Sequence, residues 1–363
     1  MSASRHPGPA TAIEPWQSER PVRVVIVDDS AVARQAIRTL LKDQRGIEVV
    51  GTAHDPRTAM DIITTRDADV VTLDVEMPNM DGITFLERLM RQRPTPVIMV
   101  SSVTEEGADV TLRALEMGAV DFVPKSSLAN GPDQQRRHAE FAGKVRTAGA
   151  ALVRPLPVME GREPVQPTPA VAARLAERIV AIGSSTGGVE ALQEIICALP
   201  STSPAILVAQ HMPPHFTARL AGRLNAKSAV RVLEAEEGQL VTQGYVYIAP
   251  GDRHLRLGRW GKSYICRVSD DPPVGGHRPS ADVLFRSVAR AAGARAVGVI
   301  LTGMGCDGAK GLLEMRESGA YTIGQDQATC VVYGMPKAAA ALGATESEVP
   351  IDRMATRILE LCS

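Results

Sequence analysis

Two sets of residues have the types and spacing to do chemistry. The first is Asp28 and Asp29, Asp74, the hydroxyl of Ser101 and Lys125, each standing just after a short apolar run. Carboxylates grouped without Cys or His make a hard oxygen pocket that suits Mg²⁺, which keeps several waters and bridges to phosphate oxygens. With that ion and Lys125 offsetting the charge of a phosphoryl group, Asp74 would be the in-line nucleophile. Singly the pieces say little: an Asp-Asp pair after a strand is ordinarily a turn or cap, and Lys125 after Pro124 an ordinary surface lysine. The ordered set says more.

The second set begins at Gly183-Ser184-Ser185-Thr186-Gly187, a G-x-S-x-G turn between an apolar strand and a helix. Glycines on both sides allow close backbone approach, and a helix starting near Gly188 would aim N–H groups at the same point, favouring an oxyanion. A phosphate- or dinucleotide-cradling loop is the competing reading, weakened because no G-x-G-x-x-G and no P-loop lysine follows. A nucleophilic serine also needs a base and an orienting acid. His211 ends an apolar strand just before Pro213-Pro214, and Asp307 lies in the Gly-rich loop Thr302 to Gly308 after another. Taken alone, His211 reads equally as a satisfied strand-end histidine and Asp307 as a helix N-cap. The chain order Ser, His, Asp departs from the Ser, Asp, His order of the α/β-hydrolases, so the elbow does not by itself assign that fold.

These residues need strand ends to stand on. From Val22 short apolar runs alternate with helical stretches: 22–27, 49–51, 70–73, 97–100 and 120–123. Continuous apolar strands separated by helices predict a parallel, doubly wound α/β sheet, with sites at the carboxyl ends of its strands. A last helix is expected near Asp133 to Ala150, with Arg136-Arg137-His138 on its solvated face. Pro155, Pro157, Pro164, Pro167 and Pro169 then exclude helix or sheet interior. The expected organisation is a disordered extension over 1–20, one α/β domain over 21–150, a Pro-rich linker over 151–175 and a second α/β domain over 176–363.

The second domain should open with a strand at 179–182 and a helix bearing Val189, Leu192, Ile195, Ile196 and Leu199 at helical spacing. Further strands are expected at 205–209, 230–233, 296–301 and 321–323. Tyr245 to Ile248 and Leu255 to Leu257 look like a hairpin turning at Pro250-Gly251-Asp252, which would make the sheet mixed though mostly parallel.

Composition narrows the partners. Forty Lys plus Arg against 41 Asp plus Glu leave a net charge of −1, no field for nucleic acid, and no basic helix-turn-helix follows the linker. Cys197, Cys266, Cys306, Cys330 and Cys362 form no C-x-x-C pair, so disulfides and structural zinc are not expected and a reducing cytoplasm fits. Neither a signal peptide nor a membrane span is evident, and no membrane insertion is expected.

Val27-Asp28-Asp29-Ser30, Leu73-Asp74-Val75-Glu76-Met77-Pro78-Asn79-Met80-Asp81-Gly82 and Pro124-Lys125 together resemble the receiver domain of bacterial response regulators, over roughly 22–126. The resemblance implies that Asp74 accepts phosphate from a histidine kinase, with Mg²⁺ held by Asp29, Asp74 and the Glu76 carbonyl, Asp28 behind them, and Ser101 and Lys125 supporting the phosphoryl group. Ala181 to Gly188, Gln210-His211-Met212-Pro213, Gly276-His277-Arg278-Pro279-Ser280, Leu301 to Gly308 and Val332-Tyr333-Gly334-Met335-Pro336 resemble the catalytic domain of the chemotaxis protein-glutamate methylesterases, the CheB family, over about 177–361. That resemblance implies a phosphorylation-activated esterase acting without a cofactor on methyl-accepting chemotaxis receptors, and a glutaminase on particular receptor glutamines. It also implies Ser185 as nucleophile, His211 as base, Asp307 as orienting acid, and Thr186 and Met304 as oxyanion donors through their N–H groups. His277 and Arg278 would shape the site. Ser184 stands where the family commonly has Ala, and Cys306 where it more often has Asn. A binding module holding a nucleotide without catalysis is the alternative, and it has no need of His211 with Asp307.

Overall fold

The structure, a computed structural model, describes residues 20–77, 82–102, 104–128, 134–153 and 174–363. The expected extension over 1–20, except its last residue, the prolines of the linker and the Pro78 to Asp81 part of the receiver motif lie outside the described residues.

The first domain alternates β1 (Val22–Val27), α1 (Ala31–Lys42), β2 (Ile47–Ala53), α2 (Pro56–Thr65), β3 (Val70–Asp74), α3 (Gly82–Gln92), β4 (Val97–Ser101), α4 (Glu105–Glu116), β5 (Asp121–Pro124) and α5 (Gln134–Gly149). All pairings in the sheet, ordered β2-β1-β3-β4-β5, are parallel. The apolar runs of β1, β3 and β4 are buried on both faces, which only helices on both sides allow.

The second domain follows with β6 (Ile179–Ser184), α6 (Gly188–Cys197), β7 (Ala205–Gln210), α7 (Phe216–Lys227), β8 (Arg231–Glu234), β9 (Tyr245–Ile248), β10 (His254–Trp260), β11 (Ser263–Ser269), α8 (Ala281–Ala292), β12 (Ala296–Ile300), α9 (Ala309–Glu317), β13 (Tyr321–Gln325), α10 (Met335–Ala341), β14 (Ser347–Val349) and α11 (Ile351–Cys362). Its seven-stranded sheet runs β14-β13-β12-β6-β7-β9-β8, parallel throughout.

The expected hairpin is therefore corrected. β9 does not pair with β10; it lies between β7 and β8. The antiparallel pair is β10 with β11, closing at Gly261-Lys262, where Gly261 has the positive φ of 60° that a tight two-residue turn requires. Pro250 to Asp252 does reverse the chain, but it carries it out of one sheet into another. With the hairpin separate, the main sheet is not mixed.

The domains meet along α4, which packs on α6 and α7. Phe122 and Phe216 meet across the seam, their rings tilted by 34° with centroids 4.5 Å apart, and one apolar cluster runs through both domains. Charged pairs border it: Asp109 with Arg219, and Glu116 with both Arg223 and Lys227. Leu152 donates its N–H to the Val331 carbonyl at 3.1 Å.

Candidate active site and phosphoacceptor site

Of the two adjacent serines, packing selects one. Ser184 ends β6 fully buried, its hydroxyl donating to Gln210 Oε1 at 2.6 Å. Ser185 lies past the ladder, half-buried, its N–H on the Thr302 carbonyl at 3.1 Å. The turn that follows needs its glycines. Gly187 has φ +76°, and a Cβ there would lie 2.6 Å from the Val331 side chain. α6 begins at the next residue, and the Gly188 N–H donates back to the Ser185 carbonyl at 2.8 Å, closing the turn.

β7 is the parallel neighbour of β6, and His211 follows its last residue, donating its own N–H to the Ser184 carbonyl at 3.0 Å. The loop after β12 brings Asp307 in from the other side, with His211 Nε2 2.8 Å from Asp307 Oδ2. Asp307 is held from every direction: the Ser280 hydroxyl at 2.8 Å, the Ala281 N–H at 2.7 Å and the Asp282 N–H at 3.3 Å, all at the N-terminus of α8. Burial works against its charge, but the bond to His211, then Ser280 and the Ala281 N–H, outweigh it and hold the pKa at about 2. A carboxylate only accepts, so the network assigns the imidazole proton to Nε2. The lone pair is then on Nδ1, which is buried and has no hydrogen-bond partner. The structure joins His211 to Asp307; the bond from the Ser185 hydroxyl to His211 is not formed.

His277 stacks face to face on His211, 4.0 Å between centroids and 6° from parallel. Burial and then the neighbouring His211 push its pKa down to about 4, so it stays neutral at neutral pH. Arg278 turns away, onto Asp252 at 2.7 Å and the carbonyls of Asp270 and Asp271. Cys306 is exposed.

Thr186 and Met304 flank Ser185, and their N–H groups have no backbone acceptor among the described residues. Both are covered by the first domain. The Thr186 hydroxyl donates to Asp121 Oδ2 at 2.6 Å, Gly187 donates to the Val120 carbonyl at 3.2 Å, and Thr147 donates to Met304 Sδ at 3.1 Å. Asp121 is itself fixed by Lys144 at 2.9 Å. Asp121, Thr147, Ser280 and Gln210 have roles here that the sequence reading did not assign. Only Ser280, a cap residue before an amphipathic helix, and Gln210, a polar residue ending an apolar strand, left a signal in the sequence.

At the other sheet, Asp28, Asp29 and Asp74 bring carboxylate oxygens within 4.8 Å of one another. Lys125 Nζ binds both oxygens of Asp74, at 2.8 and 2.9 Å. Burial, then the charge of Asp74, lift the pKa of Asp28 to about 6; burial also raises that of Asp74, against the pull of Lys125. Asp28 Oδ2 is buried without a partner. An all-oxygen set with an orphaned carboxylate oxygen fits a hard divalent cation. Glu76 receives the Ser102 hydroxyl at 2.9 Å. Ser101 makes no hydrogen bond to Asp74: its hydroxyl accepts from Thr111 of α4 at 2.6 Å and has two carbonyls in donating range, Ser102 at 3.0 Å and Gly107 at 3.2 Å.

Residues 180–358 match the family described as CheB methylesterase, and residues 24–130 the response regulator receiver domain. Protein-glutamate methylesterase/protein-glutamine glutaminase 4 of Anaeromyxobacter dehalogenans is 52% identical over 98% of each chain. Enzyme 2 of that name from Xanthomonas oryzae pv. oryzae is 51% identical over 94% of this chain and 98% of its own. The crystal structure of the Thermotoga maritima CheB methylesterase catalytic domain aligns with 51% of this chain and 98% of its own, at 40% identity and a TM-score of 0.50. With the elbow, the held histidine and the acidic receiver pocket in place, the chain belongs to the CheB family of protein-glutamate methylesterases, a receiver domain followed by a methylesterase domain.

Proposed function

We propose that this protein is a phosphorylation-activated serine esterase that demethylates glutamate methyl esters on methyl-accepting chemotaxis receptors, and deamidates particular receptor glutamines to glutamate. The observation that carries the chemistry is His211: fixed at Nε2 by an ionised Asp307, with a buried, unpaired Nδ1, next to the strand whose elbow holds Ser185. Ser185 Oγ attacks the side-chain carbonyl, its proton passes to His211 Nδ1, and the Thr186 and Met304 N–H groups receive the oxyanion. His211 returns the proton to the departing methoxide, releasing methanol, and water, deprotonated by His211, then opens the acyl ester to give glutamate. With glutamine the leaving group is ammonia. No cofactor enters these steps.

Control comes from the receiver, which covers Thr186 and Met304 through Asp121 and Thr147. Asp74 accepts phosphate from the phosphohistidine of a chemotaxis histidine kinase, with Lys125 beside the phosphoryl group. Mg²⁺, which Asp29, Asp74 and the Glu76 carbonyl would hold with Asp28 behind them, supplies charge neutralisation there. On phosphorylation Ser101 leaves Thr111 for the phosphoryl oxygens, which moves α4 and loosens the seam. Among the described residues no helix is long and apolar enough to cross a membrane, and the five cysteines are free, which supports a cytoplasmic setting.

Methanol release from radiomethylated receptor membranes, with and without acetyl phosphate and Mg²⁺, tests the reading. Release should rise with the phosphodonor, lose that rise in Asp74→Asn, and fall about 10⁴- to 10⁶-fold in Ser185→Ala. Ser185→Ala retaining a tenth of the activity would remove Ser185 from the nucleophile role.

A further inference from the structure

Past the last paired residues of β6 and β7, Ser184 and Gln210, the two chains separate, one into the elbow and the other toward α7. The Gln210 side chain spans that divergence. It is 2% exposed, and its Nε2 donates to the main-chain carbonyl of Ser185 at 2.9 Å and to that of His211 at 3.1 Å. Its Oε1 accepts from the Ser184 hydroxyl at 2.6 Å. The network fixes the amide orientation, because a flipped group would set its oxygen against two carbonyls. Space for it is reserved, since a Cβ on Gly188 would lie 2.2 Å from Oε1.

We infer that Gln210 is a positioning residue for the reaction, one that ties the peptide of the nucleophile to the peptide of the base and so sets the separation of Ser185 and His211. The inference rests on the esterase reading above. A buried amide that merely satisfied itself could bond to any two carbonyls; these two belong to the residues whose spacing decides proton transfer, and both donor hydrogens are spent on them. Gln210→Glu keeps the shape and Oε1 but replaces the two donors by an oxygen that repels both carbonyls. The elbow and the His211 peptide then part, and a misplacement on the order of 1 Å between reacting groups costs about 10²-fold in rate.

The test uses the full chain with acetyl phosphate and Mg²⁺, and a small fluorophosphonate as probe. Labelling forms the bond from Ser185 Oγ to phosphorus, expels fluoride and passes the serine proton to His211. Wild type should label and Ser185→Ala should not; an inert wild type would refute the esterase reading itself. Gln210→Glu should label with a rate constant lower by about 10- to 100-fold, at undiminished final amplitude, and on receptor membranes its kcat should fall with KM unchanged. A loss of folded protein would instead lower the amplitude and leave the rate constant intact, and that result overturns the inference, as does a wild-type rate constant. Gln210→Leu, which removes the donors without adding repulsion, should fall between the two; equality with wild type would likewise overturn it.

Discussion

Glu116 is where the control of this enzyme can be measured far from its chemistry. It ends α4 with a side chain only 9% exposed, and it receives Arg223 Nε at 2.9 Å, Arg223 Nη2 at 2.6 Å and Lys227 Nζ at 2.8 Å. Burial alone would raise its pKa; the bonds from Arg223 and then Lys227 outweigh that and lower it. Truncating one partner of a bonded charge pair at an interface costs roughly 2–5 kcal/mol, and the low end applies because Lys227 is 41% exposed and partly screened. Glu116→Ala should therefore remove about 2 kcal/mol from the closed arrangement, about a 30-fold shift toward the open one. Basal methanol release without phosphodonor should rise by up to that factor, capped at the phosphorylated rate, while the fully phosphorylated rate stays where it was. The stimulation ratio shrinks accordingly. Arg223→Ala, which removes the same pair from the other side, should raise the basal rate likewise. An unchanged basal rate in Glu116→Ala would refute the idea that the α4 seam holds the catalytic domain closed.

Other perturbations bear on the site itself. Because Asp307 has a folded pKa of about 2, below its ordinary value, its contribution to stability is full above about pH 4 and is lost as pH falls through 2. Unfolding free energies from urea titrations between pH 5 and 2 should fall more steeply for wild type than for Asp307→Asn, by up to about 2 kcal/mol over the window. Gly187→Ala forces a side chain into positive φ and within 2.6 Å of Val331, so thermal unfolding should move down by the equivalent of about 1–3 kcal/mol and Ser185 labelling should slow. Cys306 is exposed beside Asp307, and its alkylation or Cys306→Asn should leave receptor demethylation within about twofold; a large loss would give this thiol a role its exposed position does not suggest.

The receiver sheet and the opening of the second domain were legible because apolar runs between helical stretches have one economical packing, and the site residues stand at strand ends that such a sheet brings together. Ser185, His211 and Asp307 sit at the ends of β6, β7 and β12, which are neighbours in the sheet. The hairpin was misread because Pro250 to Asp252 has turn chemistry without saying which strands the turn joins; β9 is buried on nearly its whole length and is claimed by β7 and β8. The three-residue β14 and the β11 strand, which buries only Ile265, Cys266 and Val268, carry too weak a pattern to stand out. Asp121, Glu116 and Thr147 look like ordinary surface positions of a receiver; Asp121 has Lys144 within its own domain, and the docked second domain adds the bonds to Thr186, Arg223, Lys227 and Met304. Ser101 shows the converse: its residue type signals a phosphoryl contact, while in this conformation α4 claims its hydroxyl.

The continuous core beneath α4 bears on how interchangeable the parts are. A receiver is often regarded as a portable input device, since its phosphate chemistry is complete within one sheet. Here Asp109, Glu116, Asp121, Phe122 and Thr147, scattered over α4, β5 and α5, all answer to the second domain. A receiver transplanted from another regulator would bring its phosphoacceptor with it and leave those five positions behind. If the seam represses the esterase, such a chimera would take up phosphate normally yet run its esterase without that control.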